Sequence, residues 1–405
     1  MYKLKQLTIF EFDNYSKRHP LRSYFQTSTY AMFLSEQGYD YELIGLIDEN
    51  NKILAASLIA IKKINILCRY AYAPRGFLID YYNKSLLKTF IDLLKKRYYS
   101  KNVAYIKINP EISIANINIE SKMFNYTKNK EIENILKENN FIRIEEKTTF
   151  SNILPRYNAI LLLKAQDKAN FTKTMRNKIN KSLYNGLTLE KKDREDIKIL
   201  YDFVKYKEKK KLNDYYNLYN SFSKQDAIDI FLVKINFEES LINERKKFEK
   251  ENLRNQTLVE KLMKNNTENN LKNKLNSDRI LNQINENIAY YTQCLAKSPE
   301  EYIAGAIIIK YQDRIYVVST GYNKKYKNLC PNYFLHYELI KYYHKEYNFF
   351  DLNGISGKLV DDPKFKGLNE FKLGFKPKAF ELIGEYNLPI NDGLYKYLES
   401  KNKVG

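Results

Sequence analysis

One lysine stands apart from the rest. Lys372 lies in GLNEFKLGF, directly after Phe371 and between Gly367 and Gly374, in a chain with 68 lysines and arginines. The surrounding run, NGISGKLVDDPKFKGLNEFKLGF, gathers Gly354, Gly357, Gly367 and Gly374 out of only 13 glycines. Glycine lets backbone approach a ligand closely or turn through positive φ. With Ser356 and Lys358 inside it, and a strand-like NFFDLNGI just before it, the stretch reads as a loop at the edge of a site. A cation in a semi-apolar slot acts on nearby charge more strongly than one in water. Such a cation suits a site that handles negative charge. The plain alternative is a surface lysine on a strand edge.

Covalent catalysis has no such constellation. Three cysteines (Cys68, Cys294, Cys330) and three histidines (His19, His336, His344) are scattered, with no Ser/His/Asp or Cys/His grouping. They make no zinc-ligand spacing and no disulfide framework, so a reducing cytosol and a chain without metal or cofactor are expected. The net charge of +20 points to a polyanionic partner. Lys, Asn, Ile and Tyr are abundant throughout, as an AT-rich coding sequence would make them, so only local clusters count. One cluster is MRNKINKSLYNG, where Arg176, Lys178 and Lys181 could meet phosphates; YKEKKK, from Tyr206, lies nearby. A solvated helix face is the alternative there. No signal peptide is evident, and the longest apolar run, ILAASLIAI from Ile53, falls short of the about 20 residues a bilayer needs. A cytoplasmic protein is expected, with a positive surface that would also suit the anionic inner face of the membrane.

The elements that must position these groups alternate. YELIGLIDENNKILAASLIAIK reads as a hairpin, SLLKTFIDLLKKRYYSK as a helix, NVAYIKINP as a strand stopped by Pro110, and EIENILKENNFIRI as helix then strand. A similar order returns later: the basic helix closed by Asn185-Gly186, a hairpin at EYIAGAIIIKYQDRIYVVSTGY, a helix at PNYFLHYELIKYYHKEY and the strand NFFDLNGI. The expected fold class is α/β, with mixed sheets in two tandem domains. Residues 1–150, completed by 376–405, form the first; 151–235 and 296–375 form the second. Between them, residues 236–295 show near-heptad apolar spacing on either side of KNNTENN, which predicts two antiparallel helices in a protruding coiled-coil arm.

These residues together resemble the Fem-type aminoacyltransferases (the FemABX family). The likeness rests on Gly354-Ile355-Ser356-Gly357, Gly367-Leu368, Phe371-Lys372, Gly374-Phe375 and the closing LIGEYNLPI. Upstream, FQTSTYAMFLSEQGYDYELIG looks like the family's first helix and YAPRGFLIDY like its Arg-Gly turn. TMRNKINKSLYNGL is similar to the basic helix opening the second domain, and INFEESL leads into an arm. The resemblance runs from about Phe25 to Ile390. It implies two GNAT-type acyltransferase domains and transfer of an amino acid from aminoacyl-tRNA to an amino group on the stem of a peptidoglycan precursor. The acceptor would be lipid II or UDP-MurNAc-pentapeptide. Such an ester is already activated, so alignment and charge stabilisation suffice and no covalent nucleophile is required.

Carried over residue by residue, the resemblance implies Lys372 as the catalytic cation, steadying either the developing charge or the tRNA 3′ end. It implies substrate contacts at Phe371, Gly354, Ser356, Gly357, Lys358, Gly374, Phe375, Arg75, Asn109, Tyr215 and Tyr316, and tRNA contacts at Arg176, Lys178 and Lys181. Departures are visible too. Many members have Asp where Asn109 stands, and an amide cannot serve as a base. A phosphate-binding lysine is matched by Leu34, and an arginine ahead of the arm is replaced within KKKLNDYYNLY, where Lys211 and Tyr215 or Tyr216 could compensate. Three other readings compete. An acetyl-CoA-dependent N-acetyltransferase would need a pyrophosphate loop where TGYNKKYKNLCPNY stands. A non-enzymatic RNA-binding protein would leave Lys372 without purpose. Transfer onto protein N-termini would share the donor and change the acceptor. The amino acid, the accepting stem residue and the oligomeric state are not legible.

Overall fold

The computed structural model describes residues 2–66, 68–146, 150, 153–359, 362–401, 403 and 404. It contains two mixed sheets. The first runs β1 (Lys3–Gln6), β2 (Asp40–Ile47), β3 (Ile53–Lys63), β4 (Arg69–Ala73), β5 (Val103–Ile108), β16 (Glu385–Pro389), β8 (Ile142–Ile144). The second runs β10 (Leu187–Lys192), β11 (Ile228–Asn236), β12 (Glu300–Tyr311), β13 (Arg314–Tyr322), β14 (Phe349–Gly354), β9 (Tyr157–Leu162), β15 (Lys378–Leu382), β6 (Ser113–Ile117), β7 (Phe124–Tyr126).

The order of elements repeats. In the first sheet, β2 and β3 form an antiparallel hairpin, β3 pairs with β4, and helix α3 (Lys84–Tyr99) carries the chain over to β5, parallel to β4. In the second, β12 and β13 form the hairpin and α10 (Pro331–Tyr343) carries it to β14, parallel to β13. A parallel pair requires such a crossover, because the chain must return to the same end of the sheet. α3 forms where it does because Asn83 accepts a hydrogen bond from Leu86 N and six side chains, among them Leu87, Phe90 and Leu94, fall on one buried face. At α10, Pro331 occupies the first turn, where its missing N–H costs nothing.

The chain does not keep its halves separate. β6 and β7, from the first third, pair into the second sheet, whereas β16, near the C-terminus, completes the first. β6 and β7 thus cross the expected division at residue 150, whereas β16 lies within 376–405, the segment expected to complete the first domain. α1 (Ile9–Arg18) and α2 (Ser28–Glu36) pack on β2 and β3; α4 (Ile132–Glu138) and α12 (Asp392–Ser400) complete the first half. On the second sheet lie α5 (Lys173–Leu183), α6 (Ile197–Val204) and α7 (Leu212–Ser223). The halves meet where Tyr24, from the turn before α2, enters a cluster with Leu218, Phe222 and Tyr316.

α8 (Phe237–Lys264) and α9 (Glu268–Leu295) form a helical hairpin. Its root is apolar: Phe237, Leu241, Tyr291 and Cys294 join the core of the second sheet. Further out the seam turns polar. Glu244 accepts from Asn287 Nδ2 (3.2 Å), Ser277 donates to Glu251 Oε1 (2.6 Å), and Asn255 donates to Asp278 Oδ1 (2.8 Å). Leu271 and Leu275, read from the sequence as part of the apolar stripe, are 43% and 48% exposed. Two helices alone offer too narrow a contact to bury every periodic leucine, and hydrogen bonds hold the seam instead.

Candidate active site

A candidate site sits at the seam between the sheets. A cleft of about 350 Å³ is walled by Tyr24, Phe25, Tyr30 and Phe33 from the first half and by Tyr215, Leu218 and Tyr316 from the second. Its floor is charged. Arg75 follows β4 and Glu111 follows β5, so the ends of two parallel strands deliver them to the same place. Arg75 Nε lies 3.1 Å from Glu111 Oε2, with both side chains largely buried. Arg314, at the start of β13, reaches the other oxygen of Glu111 (3.4 Å), and its Nη1 is 3.9 Å from Asp351 Oδ2. Buried ion pairs recover their desolvation cost only when well partnered. Here Arg75 also donates to Pro155 O (2.9 Å), and its backbone N–H donates to Asn109 Oδ1 (2.8 Å).

Asp351 occupies a break in the second sheet. β13 and β14 pair only from Arg314–Phe349 to Tyr316–Asp351, then part. Beyond Asp351 the register of β14 against β9 shifts, and Asn353 turns to a φ of 65°. Such a bulge re-aims side chains, and bulges recur beside functional sites. Asn353 N donates to Asp351 Oδ1 (2.7 Å), and Asn353 Nδ2 reaches across the gap toward Val317 O (3.4 Å). Burial pushes the Asp351 carboxyl up to about 6, although Arg314 pulls it down; nearby Glu111 adds to the rise.

Lys372 comes to this break from behind. It lies not in a loop but on α11 (Lys366–Leu373), and its Nζ donates to Gly354 O (2.6 Å), a carbonyl that the parting of the strands leaves available. The side chain is half-buried. Burial of the amine lowers its pKa to about 7; Asp351 opposes the drop and Lys207 adds to it. Lys207, in the loop after α6, donates to Thr320 O on the opposite lip. Two ammonium groups thus cap the two diverging strands.

The other expected residues separate into groups. Arg75, Tyr215 and Tyr316 line the cleft. Asn109 lies behind it, accepting from Arg75 N and donating to Tyr72 Oη (3.0 Å). Phe371 and Phe375 are core residues, packed edge-on against each other, with Phe371 also against buried His336. Ser356 organises its loop: its N–H donates to Asn369 Oδ1 (2.9 Å) and its hydroxyl to Asp362 (2.5 Å). Gly357 and Gly374 are small for packing, since a Cβ would stand 2.2 Å from the Tyr157 ring and 2.8 Å from Met175 Cε, respectively. Lys358 and Gly374 border a second groove, of about 880 Å³, on the outer side of α11. Lys178 and Lys181 are exposed, but Arg176 folds back to donate to Ala169 O (2.8 Å) and Phe171 O (2.5 Å). Leu34 is buried among Leu7, Phe12 and Leu43, where a phosphate ligand would not fit.

Sequence reading missed Asp351, Glu111 and Arg314, and took Lys207 only as part of the basic run YKEKKK. The signal for Asp351 was one acid inside the apolar strand NFFDLNGI. Among the described residues no group of His, Cys, Asp and Glu could hold a metal ion, and no helix is long and apolar enough to cross a membrane.

Fold and site define a class: a mixed α/β protein whose cleft offers positioned charge rather than an activated covalent nucleophile. The comparisons agree with that class. The FemAB family profile matches residues 7–403, and the chain belongs to that family. It is 25% identical to an aminoacyltransferase FemA from Staphylococcus epidermidis over 420 residues, covering 99% of both chains. It is likewise 25% identical to an aminoacyltransferase FemA from Staphylococcus aureus over 423 residues, again covering 99% of both. A crystal structure of FemX shares the fold with a TM-score of 0.73 at 21% identity, covering 98% of this chain and 100% of that one.

Proposed function

We propose that this chain transfers an amino acid from aminoacyl-tRNA to an amino group of a peptidoglycan precursor. The observation that carries the reading is Lys372: the lysine of the family signature donates to Gly354 O on β14, the strand whose Asp351 and Asn353 line the cleft. The attacking amine and the ester carbonyl need only be brought into line, and most of the gain comes from holding them there. Negative charge then grows on the carbonyl oxygen, and an ammonium in a partly desolvated slot stabilises it. The aromatic walls suit aliphatic parts of a stem peptide. The exposed Lys178 and Lys181 suit tRNA phosphates, and the same positive surface suits an anionic bilayer.

Purified protein offered a panel of charged tRNAs, with lipid-linked and nucleotide-linked acceptors in parallel, should yield product in at least one combination. K372M should fold normally and lose at least about 100-fold in turnover, as removal of one positioned stabilising group does elsewhere. Wild-type turnover in that variant would remove Lys372 from the mechanism. Acetyl-CoA should leave the melting temperature unchanged; a clear rise would favour an acetyltransferase instead.

A further inference from the structure

The transfer reading leaves one proton without a keeper. A neutral amine that attacks an ester becomes a cationic nitrogen in the tetrahedral intermediate, and it must shed a proton before the amide is stable. The Asn109 side chain, an amide, cannot take it.

The titratable groups facing the cleft narrow the choice. Glu111 is clamped by two guanidiniums, Arg75 at 3.1 Å and Arg314 at 3.4 Å. Asp214 caps the first turn of α7, accepting from Lys211 N (2.7 Å). The phenols of Tyr24, Tyr30, Tyr215 and Tyr316 are all pushed above their usual values by burial, so they keep their protons. Lys210, the remaining charged group on the wall, is a cation. Asp351 differs from all of these. One oxygen is held by Asn353 N, which fixes the carboxylate; the other stands 3.9 Å from Arg314, beyond hydrogen-bond length. Among the described residues no direct hydrogen bond reaches that second oxygen. It sits on the cleft floor at the point where β13 and β14 part, within the electrostatic reach of Lys372.

Given that reading, we infer that Asp351 is the proton carrier of the transfer: its carboxylate takes the proton from the attacking amine and passes it to the departing ribose oxygen. The C–N bond forms as the amine adds to the ester carbon, and the carbonyl oxygen becomes anionic beside Lys372. Asp351 then removes one proton from nitrogen. When the C–O bond to the ribose breaks, the leaving oxygen receives that proton and the carboxylate is restored. Protonation near pH 6, raised there by burial, suits both halves of this shuttle, because a catalyst that must accept and return a proton works best with a pKa near the working pH.

The test is the pH profile of kcat/KM with one fixed aminoacyl-tRNA and acceptor. Wild type should lose activity below about pH 6, as the carboxylate protonates. D351N should be slower by about 100-fold or more and should lack that acidic limb, with unchanged affinity for a non-hydrolysable amide analogue of the charged tRNA. D351E should recover part of the rate together with an acidic limb. The inference fails if D351N keeps near-wild-type turnover. It fails equally if D351N binds the analogue and melts as poorly as it turns over, with no recovery in D351E, for the role is then structural. Absence of product from wild type itself would instead remove the transfer reading on which the inference rests.

Discussion

Lys372 carries a charge whose cost depends on pH. Its pKa in the folded chain is about 7, against the usual 10.5, because burial disfavours the ammonium. Between those values the unfolded chain binds more protons than the folded one, so stability rises with pH across that window. Wild type should therefore lose stability from about pH 10 down to about pH 7, where the group is charged in both states, while K372M should not. The difference between the two proteins, read from urea unfolding, should grow across that interval and level off below it. A difference independent of pH would mean that the amine is not buried. The lysine itself was legible in the sequence, because glycines and Phe371 marked its neighbourhood. Its setting was not, since the bond to Gly354 O depends on a helix lying across a strand distant from it in register. Asp351 was harder still. A single acid in an apolar strand reads the same whether it ends in an ion pair or on the floor of a cleft.

At the scale of elements, the basic helix α5 shows how similar residues take different roles. Arg176 closes the start of its own helix by donating to Ala169 O and Phe171 O, whereas Lys178 and Lys181 point to water. R176A should cost about 1 kcal/mol of stability and leave the salt dependence of tRNA binding nearly intact. The K178A/K181A pair should do the reverse, reducing the slope of log K against log salt by about 1 to 2. Equal slopes in all three proteins would remove α5 from the tRNA footprint. The helix and its end were readable from MRNKINKSLYNG, because capping and periodicity are local. Which cation turns inward was not, because that is decided by the 3₁₀ turn before the helix. The arm illustrates the same limit. Its two helices followed from spacing, but spacing could not show that Glu244, Asn255 and Ser277 hold a seam from which Leu271 and Leu275 are left out.

Across the whole molecule, strand exchange binds the halves. β6 and β7 leave the first third to finish the second sheet, and β16 returns from the C-terminus to sit between β5 and β8. Arg314 adds a further tie through Glu111, a partly buried pair between the two sheets. Heating should give one cooperative transition for the two sheets, with the arm alone free to fray earlier. Two well-separated calorimetric peaks of comparable enthalpy would contradict this. The repeated order of elements was visible in the sequence. The return of the C-terminal segment to the first half was expected, but the crossing of β6 and β7 was not, because they are short, and a strand's partner is chosen by register and geometry across long stretches of chain.

That threading also governs how this enzyme could be recombined with a relative. A crossover placed once, near the middle of the gene, would give each sheet foreign strands and spoil the floor between Arg75 and Asp351. A working hybrid would have to exchange residues 113–126 along with the rear half and 385–389 along with the front, so neither half can be inherited as one continuous stretch of chain.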